Sequence, residues 1–101
     1  MSSLRRRLDF ARQAQRDLDD ILQWSLEVWG AAQQDRYAAA LERAVALLLE
    51  QPNAGRARED LGPGYRVYPV EQHRIFYKVT GRTIRVIRIL HHRQNTRRAF
   101  D

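Results

Sequence analysis

The chain has 101 residues, no cysteine, and 18 lysines and arginines against 12 acids, for a formal net charge of +6. A chain of this length buries one core rather than two, so residues 1–101 are expected to form a single domain. Without cysteine there is no disulfide staple and no thiolate zinc site, and the fold must rest on apolar packing, which suits the cytoplasm. The longest apolar run, Val45 to Leu49, is far too short to span a bilayer, and Asp9 and Arg12 interrupt any secretory h-region after Arg5, Arg6 and Arg7. A soluble, cytoplasmic protein is the expectation.

Residues 4–10, LRRRLDF, alternate Leu4, Leu8 and Phe10 with arginines and predict a short strand. From about Ala11 to Trp29 the apolar spacing becomes helical, with Ala14, Leu18, Ile21, Leu22, Ser25 and Val28 on one stripe and Asp17, Asp19 and Asp20 off it or at its edge. Gly30 ends that helix. A second helix runs from about Ala32 to Glu50, with Tyr37, Ala40, Leu41, Ala44, Leu47 and Leu48 on one face, and stops at Pro52. One glycine between the two helices implies an antiparallel hairpin with small residues at the contact. Residues 52–64, PNAGRAREDLGPG, read as the one long loop. Three strands follow, Tyr65 to Val70, His73 to Val79 and Thr83 to about His91, joined by tight turns at Glu71–Gln72 and Gly81–Arg82. The expected fold class is α+β: order β-α-α-β-β-β, a helical hairpin packed on a small, mainly antiparallel sheet.

Continuous alternation from those two turns assigns the faces. Ile75, Tyr77, Val79, Ile84, Val86 and Leu90 should lie under the helices. Tyr65, Val67, Arg74, Phe76, Lys78, Arg85, Ile87 and Ile89 should face outward, a basic and apolar mixture that needs cover. Lys78 falls opposite Arg85, a destabilising like-charge pair unless an acid lies nearby. The charge is also uneven along the chain: residues 1–51 carry net −1 and residues 52–101 net +7. Seventeen of the eighteen cations are arginine, whose fork suits carboxylates and phosphates alike, and composition does not choose between them.

Several motifs occur in order: A-x-x-D-L-x-x-I (Ala14, Asp17, Leu18, Ile21), the W-G that closes the first helix (Trp29, Gly30), P-x-x-G-R (Pro52, Gly55, Arg56), G-Y-R (Gly64, Tyr65, Arg66), the H-R-I-F-Y strand and the R-I-L-H ending. Together they resemble the RelE/ParE toxin superfamily of type II toxin–antitoxin systems, most nearly ParE, from Leu8 to about Arg98. The resemblance implies a bacterial toxin held inactive by a ParD-like antitoxin. ParE-type members poison DNA gyrase and block replication, whereas RelE-type members cleave mRNA on the ribosome.

RNA cleavage calls for a base, an acid and cationic donors around one phosphate, and Arg66, Arg74, His91 and His92 are the available set. The superfamily's nucleases use such an arginine on the phosphate and a C-terminal histidine in proton transfer. This chain lacks the lysine-rich surface of RelE and has no tyrosine after its last histidine. The non-enzymatic gyrase poison is therefore the favoured expectation and the ribosome-dependent endoribonuclease the alternative. His73, placed opposite Leu90 and near His92, has no H-x-H or H-x3-H spacing with another histidine, so no metal is expected, nor any cofactor. Connectivity excludes an RRM-like or OB-like base-stacking platform, and the second helix lacks the charge of a DNA-reading helix, so sequence-specific DNA binding is not expected. The expected antitoxin contact is Val67, Arg74, Phe76, Lys78, Arg85, Ile87 and Ile89. The basic tail, with Arg93, Arg97 and Arg98, is the expected target contact, loosely held when free.

Overall fold

A computed structural model describes residues 6–100; Leu4, at the start of the first expected strand, lies outside them. Strand β1 (Arg7–Phe10) leads into helix α1 (Arg12–Trp29), and helix α2 (Ala31–Glu50) follows after one residue. That residue is Gly30, at φ +96°, a backbone conformation that L side chains rarely adopt. Its N–H donates to the Leu26 carbonyl and its own carbonyl accepts from Gln34, so one glycine closes α1 and opens α2. The Gln34 side chain also donates to the Leu22 carbonyl at 3.0 Å, fastening the hairpin near its tip. Ala14 on α1 and Ala44 on α2 are both buried in the core beneath the hairpin.

The rest of the chain forms a 3₁₀ turn (Pro52–Ala54), strands β2 (Arg56–Ala57), β3 (Tyr65–Val70), β4 (His73–Thr80) and β5 (Thr83–His91), and helix α3 (Thr96–Ala99). The sheet order is β1-β5-β4-β3-β2, with β1 parallel to β5 and every other pair antiparallel. The α+β class and the mainly antiparallel sheet are as the sequence implies. Strand β2 and helix α3 are additions, each too short to show a periodicity. In the P-x-x-G-R loop the hydroxyl of Tyr77 donates to the Pro52 carbonyl (2.6 Å) and accepts from the Gly55 N–H (2.9 Å). A Cβ on Gly55 would sit 2.6 Å from that hydroxyl, so only glycine lets the loop close on the tyrosine.

The main core lies between the hairpin and one sheet face: Ala14, Tyr37, Leu41, Ala44 and Leu48 pack against Val70, Ile75, Tyr77, Ile84, Val86 and Ile89. Ile89 was expected on the opposite face and Leu90 here. A bulge makes the exchange: Phe76 pairs with Arg88 and its neighbour Tyr77 with Val86, leaving Ile87 as the extra residue. One inserted residue reverses the parity of everything after it. Leu90 consequently joins Val67 and Phe76 on the outer face, and His73 pairs with His91 instead of Leu90. Val28, assigned to the buried stripe of α1, is exposed, as are Trp24 and Trp29 beside it.

Candidate functional site

The bulge also decides what the four candidate nuclease residues can do together. Arg74 stands on the outer face, paired in register with Leu90, its guanidinium 5.3 Å from the centre of the Phe76 ring and donating to the Gln94 carbonyl. His91 lies on the helix face, edge-on to His73, whose Nδ1 makes a short contact with the Tyr37 hydroxyl. Arg66 shares the helix face but pairs with Tyr77, four residues along β4 from His73 and so about 13 Å away in the strand direction. It is committed to the loop, donating to the Gly55 carbonyl at 2.6 Å. His92 is exposed and contacts the Gln72 carbonyl through Nδ1 at 3.1 Å. Arg74 and His91 thus stem from opposite faces of the sheet, at the end of β5.

The histidines' electrostatics work against acid catalysis as well. Burial, with the adjacent His91 and His92, brings His73 down to about 4. His91 is also lowered, by desolvation first and then by His92 and Arg93. A histidine whose pKa is lowered is less often an imidazolium at pH 7 and so is a weaker general acid toward a leaving oxygen. Among the described residues no three His, Cys, Asp or Glu side chains gather in a way that could hold a metal ion.

The outer face is covered from within. Val67, Phe76 and Leu90 are buried beneath Leu61, Ala99 and Phe100, and the Phe100 ring meets Phe76 edge-on at 5.2 Å and Tyr65 at 6.3 Å. The outward, uncovered placement expected of the apolar part of the antitoxin contact does not hold. Val67 and Phe76 are sealed by the chain's own C-terminal segment, Ile89 by the helical hairpin, and Ile87 is half-buried. Arg74, Lys78 and Arg85 remain on the outer face. The Lys78–Arg85 pairing exists, and Asp9 on the neighbouring β1 is the acid that relieves it, through a short ion pair to Arg85. Lys78 leans over the Tyr65 ring.

Two side chains that tie the layers together, Asp17 and Arg88, escape a reading by periodicity. Asp17 is buried on α1, where β1 has ended and left an edge of β5 open. Its carboxylate accepts the Ile89 N–H at 2.9 Å and forms a bidentate ion pair with Arg88, whose guanidinium reaches on to the Ala99 carbonyl. One arginine thus ties α1 to the C-terminal helix around the sheet edge. The signal was present: Asp17 is the D of A-x-x-D-L, three residues after buried Ala14, a carboxylate inside the apolar arc.

An open, mostly apolar groove of about 450 Å³ lies between the hairpin and the β1 side of the sheet, lined by Leu8 and Phe10 from β1, Leu18 and Leu22 from α1, Ala38, Val45, Ala46 and Leu49 from α2, with Glu42 and the sheet residues Ile75, Val86 and Ile89. Leu8 is left exposed at its mouth.

This arrangement, a helical hairpin over one face of a sheet whose edge strand β1 is parallel and whose other strands are antiparallel, is that of type II toxins of the RelE/ParE fold. Residues 8–96 match the family described as the ParE toxin of the type II toxin–antitoxin system parDE, and the chain belongs to that family. Toxin ParE1 of Caulobacter vibrioides is 38% identical over 87 residues, spanning 86% of this chain and 90% of that protein. The solved chromosomal ParDE system from P. aeruginosa superposes with a TM-score of 0.73 at 25% identity, over 88% of this chain and 98% of that one. The isolated E. coli RelE toxin shares the fold, with a TM-score of 0.59 at 17% identity over 93% and 92% of the two chains. No helix among the described residues is long and apolar enough to cross a membrane.

Proposed function

We propose that this toxin poisons DNA gyrase and blocks replication without cleaving RNA, and that a ParD-like antitoxin neutralises it. The observation that supports the reading is that Arg74 and His91 stem from opposite faces of the sheet, which sets the cationic partner of a scissile phosphate apart from one candidate proton-transfer group. Membership in the ParE family supports the target class without naming it. Expression of the toxin alone tests it: double-strand breaks and an SOS response are the expected result, and translation arrest with cut mRNA would reverse it. Replacing both His91 and His92 by alanine should leave toxicity largely intact, whereas loss of a general acid or base typically costs a nuclease about 10² to 10⁴ in rate.

The antitoxin's seat is the apolar groove beside the hairpin. Ala38, Val45, Ala46 and Leu49 present a stripe along α2 beside Glu42, and a segment of the antitoxin folding as an amphipathic helix fits such a groove. Ala46 is exposed on α2, so Ala46→Glu places a charge in the groove without disturbing the core. The expected result is at least about a hundredfold loss of antitoxin affinity, since an unpaired charge in a desolvated contact costs about 3 kcal/mol or more, with Tm unchanged. Target contact is assigned to the exposed arginines of the C-terminal segment, Arg93, Arg97 and Arg98.

A further inference from the structure

The fold sorts charge by layer. Residues 12–50, which make the hairpin, hold four arginines and seven acids, net −3. On the outer face Arg56 stands across from Val67, Arg58 over the Phe76 ring at 5.8 Å, and Arg74 over the same ring at 5.3 Å. Helix α3 adds Arg97 and Arg98, both exposed. Between β2 and α3 lies a basin of about 650 Å³ lined by Arg58, Asp60, Leu61, Asn95, Thr96, Arg97 and Phe100. Its one acid, Asp60, is already paired bidentately with Arg58 at 2.9 Å.

Arg74 is held there at a cost. Its Nε is buried without a hydrogen-bond partner among the described residues, and its guanidinium makes one side-chain bond, to Gln94. Burial and then the like charges of Arg58 and Arg56 act against its protonated form. Unrelieved guanidinium repulsion around an unsatisfied donor is the condition that a bridging anion removes.

We infer that this outer face, through Arg56, Arg74, Arg97 and Arg98 around the basin, binds the phosphodiester backbone of a nucleic acid, without reading sequence and without cutting it. The alternative anion, an acidic protein segment, draws its affinity from apolar anchors, and here Val67, Phe76 and Leu90 are closed beneath Phe100. Charge and small polar donors remain, Asn95 and Thr96 among them, and those are what a sugar–phosphate chain engages. His73 and His91 lie on the helix face, away from Arg74 in strand parity, and binding without cleavage rests on the function proposed above. The acidic hairpin faces away and orients the molecule on its polyanion. This does not require gyrase to be the target.

The test is fluorescence anisotropy of the purified 101-residue chain with labelled duplex DNA, single-stranded DNA and single-stranded RNA of matched length, at about 50 to 200 mM salt. The expected result is binding that weakens linearly in log–log against salt and is indifferent to base sequence, the tightest of the three identifying the backbone's source. Arg56→Gln/Arg97→Gln, which changes exposed side chains, should weaken binding to every sequence and reduce the salt slope by about two, about one for each phosphate no longer neutralised. Arg12→Gln/Arg16→Gln on α1 removes the same charge from the other layer and should leave the slope unchanged. Absence of binding at the lowest salt, or an equal loss in both double variants, overturns the inference. So does labelled polyglutamate of matched charge binding as tightly as the oligonucleotides, which reassigns the face to an acidic protein. RNA cut during the assay defeats binding without cleavage and the non-nuclease function together, whereas failure to bind leaves the gyrase reading standing.

Discussion

The two faces of the sheet are both apolar, and they are covered very differently. On one, two long helices bury eleven residues in a continuous core; on the other, three buried residues lie beneath a four-residue helix, one loop leucine and Phe100. A thick cover is fixed at many points at once, whereas a thin one depends on few. The outer cover is held by Arg88 reaching the Ala99 carbonyl and by Asn95 accepting the Arg98 N–H. The thick face therefore carries the stability, and the thin face leaves the arginine layer open to solvent.

Leu48 and Leu90 make the contrast measurable, because both are leucines with no exposed surface and they sit on opposite faces. Leucine-to-alanine costs about 2 to 5 kcal/mol, with the value set by how far the site collapses into the cavity. Leu48→Ala, walled by helix and sheet, should fall near 4 to 5 kcal/mol, and Leu90→Ala, beneath a cover able to settle inward, near 2 to 3 kcal/mol. Urea denaturation of both variants at one pH reads the difference. Equal costs would mean that the tail is as rigid a lid as the hairpin.

Asp17→Ala attacks the link between the two layers and should destabilise by about 3 kcal/mol, since it strands the Arg88 guanidinium and leaves the Ile89 N–H without its acceptor. Arg88→Ala in the same background should add little, because the pair is already broken. A double variant whose cost equals the sum of the two singles would show that they act separately.

Much of this fold was legible in the chain because its signals are local. Helical spacing marked both helices, failing only at Val28 in the last turn of the first, Gly30 and Pro52 marked their ends, and both tight turns fell where expected, giving the Val70–His73 and Thr80–Thr83 pairings. What periodicity missed depended on one inserted residue. A bulge at Ile87 has no distinctive composition, yet it moved Ile89 and Leu90 to opposite faces and brought His91 against His73. The same error made the outer face look open, and RQNTRRAF, lacking alternation, hid that Phe100 was its lid. In the candidate site, the separation of Arg74 from His91 is a property of strand parity that neither residue reveals alone.

Removing the lid gives a smaller effect than opening the core. Truncation after Asn95 deletes Phe100 and the Ala99 acceptor of Arg88, and half-burial of one aromatic side chain points to about 1 to 2 kcal/mol. The truncated chain should fold with lowered Tm and bind a hydrophobic dye over Phe76. Unchanged thermal stability would show that the tail is passive.

The smallest expected effect comes from His73, at the far end of the helix-side core. Tyr37 on α2 faces it, His91 and His92 flank it from the end of β5, and Asp17 on α1 favours its charged form, too weakly to offset burial. Its folded-state pKa of about 4 lies below the usual 6.5, so between those values the unfolded chain binds the proton more readily than the folded one. Stability contributed by neutral His73 is fully present above about pH 6.5 and is lost as pH falls toward 4. Discounted for a half-exposed ring, the loss is on the order of 1 kcal/mol. His73→Gln keeps a polar group beside the Tyr37 hydroxyl and removes the titration. Carboxylates titrate in the same range, so the informative quantity is the parent's stability minus the variant's, measured by denaturation at each pH. That difference should decline by about 1 kcal/mol on going from neutral to about pH 4. A difference that stays flat would place His73 in water, and its contact with Tyr37 would then carry no part of the core's stability.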